Sequence, residues 1–236
     1  MHVSEMEYEV SFFKEIFGQT PIAFLDSLGV LGEGFIAAHC VLAEEDDLDI
    51  LARRGVSVAH CIGANTKSAK GIAPVKAMLE KGIRVALGTD GPASGNTLDM
   101  FTQFDLFAKC HKTANKDRAL FPASTIVRLA TCDAATALGM LDKIGSIEAG
   151  KQADLTLVET KSANMFPIFD PYSVLVYSAK AANVDSVFVS GRPLLRGKEL
   201  QTLSLESART ELSSLMGPFR KAAMELEQST RNKLQT

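Results

Sequence analysis

The sequence predicts an α/β fold whose first part is a partial TIM (β/α)8 barrel. Between residues 34 and 90, short apolar runs alternate with segments of helical spacing, and the joints are short. This order is typical of parallel βα units. Three of the apolar runs end on a polar group, at His39, His60 and Asp90. Because a parallel barrel keeps its reactive groups at the carboxyl ends of its strands, these residues are site candidates.

The elements before Asp90 follow from hydrophobic periodicity and from the glycines and prolines that bound them. The predicted helices, each with apolar residues at helical spacing, are 5–17, 21–28, 44–54 and 74–81. The predicted strands, each a short apolar run, are 34–39, 56–60 and 83–87. The polar stretch 63–71 predicts a loop.

The pattern changes after residue 142. Two further helices are predicted at 97–112 and 123–140, whereas the chain from Gly145 onward has the composition of strands and turns. The predicted strands there are 153–158, 174–177, 184–189 and 193–195. We therefore expect three parts: a half barrel at 1–142, a β-sandwich portion at 143–203, and a C-terminal helix at 204–236.

The C-terminal helix is predicted to begin at Ser204, a favourable N-cap residue. An apolar stripe runs along it through Leu205, Leu212, Met216 and Phe219. We interpret these side chains as packing groups rather than as a cofactor-binding surface.

Charge and composition argue against two classes of partner. A net charge of -3 and a pI near 5.9 give no electrostatic reason to expect nucleic acid or an anionic membrane. No apolar run approaches the roughly 20 residues of a membrane span. We expect a cytoplasmic protein. The cysteines have no disulfide or CxxC spacing, which predicts reduced thiols at Cys40, Cys61, Cys110 and Cys132.

The length of the α/β part creates a difficulty. A closed barrel takes roughly 250 residues, but residues 1–142 supply strand ends only at His2, His39, His60 and Asp90. A half-open parallel sheet would leave unpaired edges. The sequence therefore predicts the second half of a barrel, belonging to the C-terminal portion of a longer protein. A split gene product that needs a partner, or a remnant, would have the same sequence features.

Several motifs, taken together and in order, resemble the amidohydrolase superfamily, and most closely its branch of 5'-methylthioadenosine/S-adenosylhomocysteine deaminases and related chlorohydrolases. They are His2-Val3-Ser4-Glu5, Ala38-His39-Cys40, Ala59-His60-Cys61, Asn65, Gly71-Ile72-Ala73-Pro74-Val75, Leu87-Gly88-Thr89-Asp90-Gly91, Asn164-Met165-Phe166-Pro167 and the run from Gly145 to Leu155. The chain lacks the His-x-His that supplies two metal ligands in this superfamily. The loop 62–70 also differs from the family's version, which leaves the substrate open.

The resemblance implies a role for each candidate residue. His2 and Asp90 would be metal ligands, and Asp90 would also take a proton from the attacking water. Glu5 would pass a proton to the ring nitrogen of an aminated heterocycle, and His39 would stabilise the attacking oxygen. Glu5, His60, Asn65 and Asp90 would contact the substrate, unless His60 instead orients the loop through a carbonyl.

The implied cofactor is one divalent metal ion. Nitrogen and carboxylate ligands suit Zn²⁺ and also admit Fe²⁺ or Mn²⁺. With two of four ligands, metal binding to the isolated chain should be weak or absent. His111, between lysines near a helix end, is predicted to be a solvated surface residue.

Three functions remain open at this point. The first is a metal-dependent aminohydrolase that releases ammonia from an aminated heterocycle, such as the adenine of 5'-methylthioadenosine or S-adenosylhomocysteine. The second is a chlorohydrolase that releases chloride. The third is a catalytically silent fragment or assembly subunit that needs the missing barrel half. The C-terminal helix packs either on its own barrel or on a neighbouring copy in a homo-oligomer.

Overall fold

The computed structural model of the chain describes residues 1–234, apart from the side chains of residues 229 and 232–234. Two four-stranded sheets follow one another along the chain, the first parallel and the second antiparallel. Among the described residues, none of the helices combines the length and apolarity needed to cross a membrane.

The parallel sheet confirms the predicted strands. Its strands, in spatial and chain order, are β1 His2–Val3, β2 Ile36–His39, β3 Ser57–His60 and β4 Arg84–Leu87. In register, Ala38 pairs with Ala59, and Ala59 with Ala86. The strands therefore end at the same edge, and their buried valines, such as Val58 and Val85, lie in the core.

The helices between these strands begin and end at recognisable caps. They are α1 Glu7–Phe17, α2 Pro21–Ser27, α3 Glu45–Arg54, α4 Ile62–Lys67 and α5 Val75–Glu80. Thr20 accepts the backbone N–H of Ala23 at the start of α2, and Gly55 ends α3 with a left-handed φ of 68°. Helix α4 is a correction, because a loop is predicted over residues 63–71. Its first turn, Ile62 to Asn65, is buried, and the polar composition of this short segment does not indicate that burial.

Four helices lie between the parallel and the antiparallel sheet along the chain: α6 Pro92–Gly95, α7 Met100–Asn115, α8 Ala123–Leu129 and α9 Cys132–Ala137. The single helix predicted over 123–140 is wrong, since Ala130 and Thr131 interrupt it. The interruption turns the chain so that α9 packs on β4 while α8 contacts α7.

The antiparallel sheet consists of β5 Leu155–Val158, β6 Val184–Val189, β7 Arg192–Arg196 and β8 Glu199–Leu200. Helix α10, Pro171–Tyr177, stands where a strand is predicted at 174–177. The Asp170 carboxylate accepts the N–H groups of Tyr172 and Ser173, and Pro171 occupies the first turn. These helix-start signals outweigh the strand preference of the valine-containing run that follows them. The boundaries of the three expected parts stay predictions.

The C-terminal helix is α11, Leu205–Leu234, and the last two residues of the predicted span lie outside the described residues. Ser204 caps it by accepting the N–H of Ser207. Among the described residues, the apolar stripe does not pack on its own barrel, which is one of the two predicted alternatives, and packing on a neighbouring copy stays a prediction. Leu212, Met216 and Phe219 are 62%, 58% and 75% exposed, because nothing in the described part of the chain lies against that face.

Candidate active site

Strained backbone marks the carboxyl edge of the parallel sheet. Ser4, His39, Cys40 and Asp90 are non-glycine residues with left-handed φ values of 50°, 74°, 47° and 59°. Each such conformation costs on the order of 1–3 kcal/mol and persists only where the surrounding structure fixes it. Here the Cys40 N–H donates to Val3 and the Leu42 N–H donates to Ser4, which ties the ends of β1 and β2 together.

Three of the predicted site residues form one cluster at this edge. His2, Glu5 and His39 each offer a ligand atom, and these atoms lie within 4.8 Å of one another. Glu5 Oε2 lies 3.9 Å from His2 Nδ1, and Glu5 Oε1 lies 3.4 Å from His39 Nε2. The two imidazole rings meet edge to face, with centroids 4.8 Å apart. His2 is largely exposed, whereas Glu5 and His39 are buried.

The buried histidine of this cluster has one nitrogen satisfied and one unsatisfied. His39 Nδ1 lies 2.9 Å from the amide oxygen of Asn65, which can only accept, so Nδ1 carries the hydrogen. His39 Nε2 then presents a lone pair, and it has no hydrogen-bond partner among the described residues. The carboxylate oxygen that faces it is also an acceptor. Two facing acceptors repel each other unless a cation or a proton lies close to them.

The donor set therefore fits a divalent metal ion. Imidazole nitrogen and carboxylate oxygen are the ligands that zinc takes besides thiolate. A hydrogen bond from the second ring nitrogen of a ligating histidine is the usual way in which its tautomer is fixed, and Asn65 accepts that bond from His39.

The turn that carries Glu5 is held by a residue that the sequence analysis does not single out. The Glu9 carboxylate, on α1, accepts the backbone N–H groups of Ser4 and Glu5, both at 2.8 Å. Lys70 was also missed. Its Nζ donates to Glu5 Oε1 at 2.6 Å. Neither contact has a sequence signal, because one joins a turn to a helix and the other spans 65 positions.

Asp90 lies outside the group of three. Its Oδ1 accepts the N–H of Gly91 at 2.7 Å, and its side chain is half-buried. Burial alone would raise the pKa of Asp90, but hydrogen bonds from Gly91 and Ser94 and the charges of His39 and His2 lower it below its usual value. Asp90 is thus a carboxylate at neutral pH whose charge acts on the same two histidines. Its predicted role as a ligand stays a prediction.

Asn65 and His60, both predicted to contact substrate, are fully buried. Asn65 contacts His39, as described, and His60 contacts a second histidine. His60 Nε2 lies 3.1 Å from His111 Nε2. His111 is 1% exposed and packs against Phe107 and Phe121, so the prediction of a solvated surface residue is wrong. Burial lowers the pKa of His60 to about 3 and that of His111 to about 4, which makes both imidazoles neutral.

The cysteines beside the strand-end histidines have unreactive, protonated thiols. Burial raises the pKa of Cys40 to about 12 and that of Cys61 to about 11. Both thiols stay protonated at neutral pH, and all four cysteines are free, as predicted.

The fold and the site together define a class: an α/β protein that gathers imidazoles and a carboxylate at the carboxyl edge of a parallel sheet. Residues 1–194 match the amidohydrolase family. The chain belongs to the amidohydrolase family, as its motifs predict.

Known proteins similar to this chain include both deaminases and chlorohydrolases. The 5-methylthioadenosine/S-adenosylhomocysteine deaminase of Syntrophobacter fumaroxidans is 42% identical over 206 residues, which cover 87% of this chain and 47% of that protein. An adenosine deaminase from Xanthomonas campestris, solved with bound zinc, superposes with a TM-score of 0.89 at 36% identity, covering 93% of this chain and 50% of that one. Atrazine chlorohydrolase from Arthrobacter aurescens, complexed with zinc, gives a TM-score of 0.82 at 26% identity, with coverages of 91% and 47%.

The chain thus spans about half the length of the relatives that it matches. The coverages state what share of each relative's length is matched. The correspondence of this chain to the second half of the barrel therefore stays a prediction.

Proposed function

We propose that this chain carries part of the active site of a metal-dependent aminohydrolase. The observation that supports this best is the pair of facing acceptors, His39 Nε2 and Glu5 Oε1, 3.4 Å apart beside His2. The parallel sheet of four strands would then be part of a (β/α)8 barrel, completed by strands from outside these residues. The site lies where such a barrel keeps its reactive groups.

His2, Glu5 and His39 would hold the ion, and Asp90 would complete the set from the end of β4. A divalent metal, with zinc favoured by the zinc-containing relatives and by the donor atoms, would supply an activated water nucleophile at neutral pH.

The chain's own residues would then manage the protons. Asp90, held ionised by Gly91 and Ser94, accepts the proton of the attacking water. Glu5 lies between His2 and His39 and relays the second proton, taken from the added hydroxyl, to the ring nitrogen next to the carbon that bears the amine. His39, whose Nδ1–H is donated to Asn65, would hold the ion through Nε2, and its predicted stabilisation of the charge on the attacking oxygen stays a prediction. Asp90 then passes its proton to the departing amine, so that water and the aminated ring give the keto ring and ammonia.

The substrate class would be a purine-like aminated heterocycle, for which 5'-methylthioadenosine and S-adenosylhomocysteine are the first choices. Two relatives, at 42% and 36% identity, are named as deaminases of adenine-containing compounds. A chlorohydrolase is the second candidate, because the atrazine enzyme shares this fold at lower identity. The reaction products separate these two, since one enzyme releases ammonia and the other chloride.

The test is a product assay on the purified chain after loading with Zn²⁺. The chain is incubated with 5'-methylthioadenosine, S-adenosylhomocysteine, adenosine or atrazine, and ammonia and chloride are measured. A second series adds, as a separate polypeptide, the half of the Syntrophobacter relative that the chain does not match. Ammonia release that disappears in Glu5→Gln supports the proposal. Chloride release supports the second candidate.

If neither product forms in either series, the chain is a silent fragment or assembly subunit and the proposed activity is wrong. The cytoplasmic location and a homo-oligomeric state are further expectations. Fractionation of the source cells and light scattering on the purified chain would check them.

A further inference from the structure

Lys70 brings a positive charge of the protein itself into the candidate metal cluster. Its Nζ lies 2.6 Å from Glu5 Oε1, and the two side chains are 19% and 11% exposed. This is a largely desolvated, charge-assisted contact rather than a surface ion pair.

The ammonium and a metal ion would need the same oxygen. Glu5 Oε1, which accepts from Lys70, is also the oxygen that lies 3.4 Å from the unpartnered Nε2 of His39. A cation bound between this oxygen and this nitrogen would share its carboxylate ligand with the ammonium. The two positive charges would also repel each other at short range, where little water screens them.

The position of Lys70 is fixed by its loop. The Lys70 N–H donates to the carbonyl of Asn65 at 2.9 Å, and the flanking Ala69 and Gly71 have left-handed φ values of 54° and 113°. A Cβ at Gly71 would lie 3.1 Å from Val41 Cγ1, so the chain closely approaches the segment that follows β2. The segment that holds His39 through Asn65 therefore also delivers the ammonium to Glu5.

We propose that Lys70 is the internal counterion of Glu5 and lowers the affinity of the His2, Glu5 and His39 cluster for a divalent cation. This inference rests on the metal site of the proposed function. In the absence of metal the ammonium satisfies the carboxylate; when a metal ion binds, Lys70 has to leave Oε1. Lys70 thereby sets the metal concentration at which the site fills.

The experiment measures Zn²⁺ affinity of the full chain at neutral pH, by competition with a chromophoric chelator. Lys70→Met removes the ammonium and should tighten Zn²⁺ binding by about tenfold or more, given the strength of close like-charge repulsion. Lys67→Met is the matched control. It makes the same change in the same segment, but Lys67 is exposed and its Nζ contacts the Ala93 carbonyl at 3.4 Å instead of Glu5.

Two further variants test the mechanism. Lys70→Arg keeps the charge and should bind Zn²⁺ as the parent chain does. In a Glu5→Gln background the shared carboxylate is gone, so Lys70→Met should lose most of its effect. Thermal unfolding in EDTA checks that each variant folds, and Lys70→Gln replaces Lys70→Met if the latter does not unfold cooperatively.

The proposal is overturned if the Lys70 variants bind Zn²⁺ no more tightly than Lys67→Met, or if none of the proteins binds Zn²⁺. The measured Zn²⁺ affinity does not depend on whether the chain catalyses a reaction. A chain that shows the affinity pattern but hydrolyses nothing would leave this inference intact while the proposed function fails.

Discussion

The amide oxygen of Asn65 lies 2.9 Å from Nδ1 of His39, and both side chains are fully buried. This contact joins α4 to the end of β2 and decides which nitrogen of the imidazole carries the hydrogen. It leaves the lone pair of Nε2 directed at Glu5, so Asn65 positions His39, while its predicted contact with substrate stays a prediction.

Replacing Asn65 should weaken metal binding. In Asn65→Leu the imidazole loses the acceptor that fixes its tautomer, and Zn²⁺ affinity should fall roughly 10- to 100-fold, as is usual when such a partner is lost. Chelator competition measures the affinity. Nitrogen NMR of the metal-free chain should show the Nδ1–H tautomer of His39 in the parent protein.

Asn65→Asp keeps an acceptor at the same place and should recover most of the affinity. Equal affinities of the parent chain and Asn65→Leu, with both folded by their melting curves, would show that the amide does not position His39.

The strand ends were predictable because an apolar run that stops on a polar group is a local signal. Ile36 to His39 and Ser57 to His60 carry that signal, and their parallel pairing follows from the short helical connections between them. The order of the strands then follows from the chain itself, whereas the place of Glu5 in the site is implied only by the family resemblance.

The rest depends on contacts that no local pattern encodes. His111 lies among lysines in the sequence, yet its ring packs between Phe107, one turn earlier, and Phe121, beyond the end of α7. Lys70 resembles any loop lysine until the fold brings it to Glu5. The exposed stripe of α11 is a different case, because its periodicity predicts an apolar face but not what covers it.

Glu9 should be important for stability although it contacts no ligand atom. In Glu9→Ala the N–H groups of Ser4 and Glu5 lose a charged acceptor, and the free energy of unfolding should fall by about 2 kcal/mol. Urea denaturation measures this. Glu15→Ala, at an exposed position on the same helix, is the control and should change stability little. A similar loss in both variants would contradict the proposed anchoring of the turn.

The His60 and His111 pair predicts a loss of stability in mild acid. Both folded-state pKa values lie below the unfolded value of about 6.5, so between pH 6.5 and about 4 the unfolded chain binds protons that the folded chain does not. Their contribution is present above pH 6.5 and decreases as the pH falls. Each histidine adds a slope of up to about 1.4 kcal/mol per pH unit.

His111→Gln removes one of these titrations, and its unfolding free energy should depend less on pH than that of the parent chain. Urea denaturation at several pH values between 7 and 5 gives both slopes, and the carboxylates common to both proteins cancel in the comparison. Identical slopes would mean that His111 is protonated in the folded protein or is not buried.

A side chain at Gly63 should destabilise the protein, because α7 supports α4 through this residue. Gln103, fully buried, accepts the Gly63 N–H at 2.9 Å, and a Cβ at Gly63 would lie 2.6 Å from the same oxygen. In Gly63→Ala the amide has to move, which should cost about 1–3 kcal/mol of stability. The shift should also lower Zn²⁺ affinity, since Asn65 follows two residues later and holds His39. Gly32→Ala, where a Cβ meets only open space, is the matched control for urea denaturation and chelator competition. Loss of stability without any change in Zn²⁺ affinity would show that Gln103 supports the helix but not the histidine.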